Sequence, residues 1–139
     1  MNLGTFGAVL KYAIQLESSA TDYYHTLIAH STTPDFFGDF KTQCEKRITI
    51  LKRIRRENTT EMILEPIYGL ESEVFLVSEP SEALETSNPV DSALTMEGTL
   101  HRFYLTASEK ISFLSEVAFA FEDLAGEHLK NINSLKRLK

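Results

Sequence analysis

Apolar residues recur along this chain at steps of three and four, in four long stretches. That spacing follows the turn of an α-helix and lays one apolar stripe along each stretch. The first runs roughly from Thr5 to His30, with Leu10, Ala13, Ile14, Glu17, Ala20, Tyr24, Leu27 and Ile28 on one face. The second starts at Thr33-Pro34, where a capping Thr precedes a Pro at the first helical position. It carries Phe37, Phe40, Cys44, Arg47, Ile48, Leu51 and Ile54 and ends near Asn58. The third starts at Asn88-Pro89 by the same logic and carries Ala93, Leu94, Glu97, Leu100, His101 and Tyr104. The fourth runs roughly from Phe113 to the C-terminus, through Val117, Phe121, Leu124, His128, Ile132 and Leu135. The pattern predicts an all-α fold: an antiparallel four-helix bundle of two helical hairpins, forming one domain over residues 1–139.

Between the second and third stretches lie residues 59–87, a connection longer than compact domains usually hold. Two hairpins in one bundle need such a crossover, because the chain must return along the bundle. Its apolar clusters, Met62-Ile63-Leu64 and Val74-Phe75-Leu76-Val77, suggest packing on the bundle or on a second subunit. Acidic residues Glu79, Glu82 and Glu85 follow.

The two halves also resemble each other. AIQLESSATDYY in the first helix matches ALTMEGTLHRFY in the third, pairing Glu17 with Glu97 at an offset of 80. Phe37 aligns with Phe121, Phe40 with Leu124, Ile48 with Ile132 and Leu51 with Leu135, at an offset of 84. Nearly equal offsets in two helix pairs point to a duplicated helical hairpin.

Composition narrows the function classes. Six Gly and four Pro in 139 residues favour long helices over a turn-rich sheet protein. A formal charge of −6 opposes nucleic acid as the main partner, since phosphate binding needs clustered positive charge. The basic run Lys46, Arg47, Lys52, Arg53, Arg55 and Arg56 reads instead as a mostly solvated helix face. A single cysteine, Cys44, forbids an internal disulfide and fits a reducing, cytoplasmic setting. The apolar N-terminus lacks a basic leader and is interrupted by Lys11 and Glu17, so it reads as the start of helix 1, not as a signal peptide or a membrane span. No glycine-rich phosphate loop or nucleophile motif occurs.

A duplicated helix pair with a glutamate inside the apolar stripe of each first helix resembles the ferritin-like superfamily. The rubrerythrin-like branch is the nearest, on the motifs L-E-x5-[FY]-Y around Glu17 and F-x2-L-A at Phe121. The likeness covers all four helices. It implies a dinuclear iron or manganese site built from two single glutamates and two Glu-x-x-His pairs. Glu17 and Glu97 stand at the single positions. The paired positions, by alignment on Phe37 and Phe121, fall at Cys44 and Arg47 and at His128 and Asn131, so both pairs are gone. No Cys-x-x-Cys pair is present for a rubredoxin-type iron site.

Two readings of the remaining residues follow. In the first, no cofactor binds: Arg47 supplies a fixed positive charge and its planar guanidinium holds Glu17 and Glu97 in a polar core. Tyr24 and Tyr104 direct their hydroxyls to carboxylates, His101 bonds to Glu97 one turn away, and Asn131 completes the layer. The protein is then non-catalytic, an interaction or regulatory protein acting as a homodimer or with another protein. In the second, Glu17, Cys44, Glu97 and His128 form a mixed site for zinc, iron or manganese in a metal-dependent oxidoreductase. A dinuclear centre would need rescue by Glu45, Glu122, Glu127 or His101. Glu45 and Glu127 are one residue off the ligand slots and are expected to point elsewhere, since one step turns a helix by about 100°.

Overall fold

The computed structural model describes residues 1–58, 66–77 and 88–138. Four helices account for most of them: α1 (Phe6–His30), α2 (Pro34–Glu57), α3 (Pro89–Lys110) and α4 (Ser115–Leu138). A short 3₁₀ turn, η1 (Ser72–Val74), lies between α2 and α3. Among the described residues there is no strand, only an isolated bridge between Asn2 and Glu71. No helix among them is long and apolar enough to cross a membrane.

The helix starts show which local signals act. Thr5 accepts a hydrogen bond from the Ala8 N–H at 3.1 Å, and Asn88 accepts one from the Asp91 N–H at 2.9 Å. Each satisfies a backbone donor that the first turn leaves unpaired. Thr33 does not cap α2, contrary to expectation. Its hydroxyl lies 3.1 Å from Ser31 Oγ instead. Pro34 still begins the helix there, because its fixed φ suits the first turn and its missing N–H costs nothing. The last helix begins at Ser115, not Phe113; Ile111 to Leu114 form a turn closed by Leu114 N–H to Ile111 C=O at 2.9 Å.

α1 packs chiefly on α2 and α3 chiefly on α4, with far fewer backbone approaches between the two pairs. The pairs meet through side chains. Phe6, Leu10, Leu27, Phe37, Leu51, Leu100, Phe103, Phe121 and Leu135 all belong to one buried apolar cluster. Aromatic rings line matched places in each pair: Tyr24 meets Phe37 at 6.0 Å between ring centroids, and Tyr104 meets Phe121 at 5.4 Å.

Residues 1–4 precede α1, whose start after the Thr5 cap agrees with the expected beginning at Thr5, and they bond to the 66–77 segment. Leu3 N–H donates to Leu70 C=O at 2.8 Å, Ile67 N–H to Gly4 C=O at 2.9 Å and Ser72 N–H to Met1 C=O at 3.0 Å. Gly69, at φ +76°, makes the turn that brings this segment alongside, a conformation easy for glycine. The Tyr12 hydroxyl then lies within hydrogen-bond distance of the carbonyls of Ser72 (3.0 Å) and Phe75 (2.8 Å), and Phe75 packs edge-on against Phe103. So the Phe75 cluster packs on α1 and α3, although Val74 and Leu76 remain exposed. Met62-Ile63-Leu64 and the acidic Glu79, Glu82 and Glu85 lie outside the described residues.

A candidate functional site: the buried polar layer

Midway along the bundle the apolar stripes are interrupted. Glu17 of α1, Arg47 of α2, Glu97 of α3 and His128 of α4 are each fully buried. Helical periodicity brings them together, since each occupies a stripe position among Leu and Phe neighbours. Burial of four ionisable groups is tolerable only if they satisfy one another.

Glu17 is held from three helices. Arg47 Nε donates to both of its oxygens, at 3.0 and 3.1 Å. The Tyr104 hydroxyl donates to Oε2 at 2.6 Å, and His128 Nε2 lies 3.0 Å from the same oxygen. Glu97 is held by the Tyr24 hydroxyl at 2.5 Å, by Asn131 Nδ2 at 3.2 Å and by His128 Nδ1 at 2.6 Å. His128 therefore bridges the two glutamates with its two ring nitrogens. An ionised carboxylate only accepts, so between two of them both nitrogens donate and the ring is an imidazolium.

The electrostatics agree with that geometry. Burial alone would push the imidazole of His128 down, but Glu97 and Glu17 outweigh it and hold the pKa at about 9. Burial would likewise raise the Glu17 carboxyl; the adjacent His128, its hydrogen bond and Arg47 hold it at about 2. Burial and neighbouring carboxylates push the phenols of Tyr24 and Tyr104 well up, so both remain donors. The Glu17 carboxylate thus faces only donors, two of them cations.

Several residues behave otherwise than expected. Arg47 does not clamp both glutamates. Its Nη1 reaches Glu127 at 3.1 Å and its Nη2 lies 3.3 Å from Cys44 Sγ. Glu127 does not point away as its register implies; the long arginine side chain reaches it, and the carboxylate stands half-exposed at the edge of the layer. His101 is half-buried and turns from the layer, with Nδ1 2.9 Å from the Ala125 carbonyl. Glu45 and Glu122 are exposed. The Cys44 thiol is buried, and burial with nearby carboxylates raises its pKa well above the usual value, so it is a neutral thiol. Among the described residues no three His, Cys, Asp or Glu side chains are placed to hold a metal ion.

The layer carries the duplication with a twist that the sequence does not display. Each tyrosine serves the glutamate of the other half: Tyr24 bonds to Glu97 and Tyr104 to Glu17. At the offset of 84, Arg47 matches Asn131, and each bonds to the glutamate of its own half. Cys44 matches His128, and only the histidine bridges. No family model matches this chain, and no curated protein or solved structure matches it either.

Proposed function

We propose that this is a ferritin-like, antiparallel four-helix protein in which fixed protein cations occupy the place of a dinuclear metal centre, and that it acts through interaction or regulation and not through catalysis. One observation carries this reading: the Arg47 guanidinium, fully buried, sits against Glu17 at the position where the resemblance puts a metal-ligating side chain. A fixed cation there repels a divalent ion, and the donors that would bind one are engaged by Arg47, His128 and the two tyrosines. The contacts Tyr24 to Phe37 and Glu17 to Arg47 run in opposite senses along α1 and α2, which supports antiparallel pairing. The neutral Cys44 thiol is poorly suited to be a nucleophile or a metal ligand.

The test is metal analysis of protein purified without chelators, followed by loading with iron(II), manganese(II) and zinc(II). Substoichiometric metal throughout is the expected result. One or two tightly held ions per chain, released by His128→Ala, would overturn the reading in favour of a metal-dependent oxidoreductase.

A further inference from the structure

The outward side of α4 carries two exposed large apolar residues among its charges. Val117, Phe121, Leu124, His128, Asn131 and Leu135 face the core. At about 100° per residue, Phe119, Gly126 and Asn133 lie on the opposite side. Phe119 is 68% exposed and Leu129, on the flank, 44%. A Cβ on Gly126 would meet nothing within 4 Å, so the chain's own packing does not require glycine there. Glycine inside a helix weakens it relative to alanine, and one use for it is close approach of another backbone.

The duplication supplies an internal control. The counterparts of Phe119, Gly126 and Leu129 on α2 are Asp35, Thr42 and Glu45, at the offset of 84. The α2 face is thus dressed for water, whereas the same positions on α4 are apolar or small.

Charge identifies the occupant. Along the exposed side of α4 the acidic Glu116, Glu122 and Asp123 precede Gly126, and the basic Lys130, Lys136 and Arg137 follow it. None of the six makes an ion pair among the described residues. Favourable placement in the helix dipole accounts for Glu116, Lys136 and Arg137 in the end turns, but that effect fades within one turn and does not reach Glu122, Asp123 and Lys130. Glu122 and Lys130 are each four residues from Gly126, and Glu116 and Lys136 are each ten. A second α4 laid antiparallel across the first, with the twofold axis at Gly126, brings acidic residues level with basic ones. Symmetry then makes every such pairing twice.

We infer that α4 is the docking face for a second copy of this chain, in an isologous dimer centred on Gly126. Phe119 covers the aliphatic stems of the partner's Lys130 and the partner's Arg137. The contact does not depend on how the buried polar layer functions, because it uses the opposite side of the helix.

Sedimentation velocity of the full chain across the micromolar range tests this. A concentration-dependent dimer that weakens with salt is expected. Gly126→Arg and Phe119→Asp should abolish it while leaving the circular dichroism melt in place. Lys130→Glu with Lys136→Glu should weaken association about tenfold, and adding Glu116→Lys with Glu122→Lys in the same chain should restore it. A monomer at every concentration, a dimer indifferent to Gly126→Arg, or no rescue by the fourfold charge swap would each overturn the assignment.

Discussion

Arg47 and Glu17 are both sealed from water, so removing one strands the other. Arg47→Leu is expected to cost about 3–5 kcal/mol in urea denaturation, the range for a buried charge deprived of its partner. Adding Glu17→Gln should recover part of that loss, because the stranded charge is then gone. His128 sets the alkaline limit. Its pKa is about 9 in the fold against an ordinary value of 6.5, so its contribution is complete below pH 6.5 and is lost as pH rises through 9. The size is about 3 kcal/mol. Glu17 sets the acid limit, at about 2 against 4.5, with its contribution complete above pH 4.5 and lost as pH falls through 2. The two share one ion pair and do not add. Urea midpoints measured against pH should therefore peak between 4.5 and 6.5, and His128→Gln should remove the alkaline decline.

Helix starts separate a cap that bonds from one that does not. Asn88→Ala should cost about 1 kcal/mol, since the side chain accepts from the Asp91 N–H. Thr33→Ala should stay within about 0.5 kcal/mol, because no cap bond exists to lose. Equal losses in thermal unfolding would refute the distinction. Both sites read alike in sequence, as a polar residue before Pro, and only geometry tells them apart. Helix extents are otherwise legible, because a stripe of apolar residues over many turns leaves little freedom. Glu17, Arg47, Glu97 and His128 are legible as inward for the same reason. Their partners are not. Which tyrosine crosses to which glutamate depends on how the helix pairs dock, and a long arginine can bypass the register that excludes Glu127.

At the scale of the molecule, the N-terminal residues and the 66–77 segment hold each other by backbone bonds, which leave no pattern of side chains to read beforehand. Tyr12 ties that arrangement to α1. Tyr12→Phe should reduce hydrogen-exchange protection at the amides of Leu3, Ile67 and Ser72 while the amides of α1 and α4 keep theirs. The exchanged tyrosines have another effect, on time rather than on energy. Partners of the buried carboxylates lie 73, 87 and 111 residues away along the chain. Each helix pair can assemble early from near neighbours, with Arg47 on Glu17 and with His128 and Asn131 on Glu97, yet each carboxylate then still lacks the tyrosine that the other pair supplies. Docking is the step at which those groups leave water, so the polar layer should be absent from the folding transition state. Tyr24→Phe and Tyr104→Phe would then speed unfolding and leave refolding nearly unchanged, which makes the layer the fold's latch against opening more than its guide to forming.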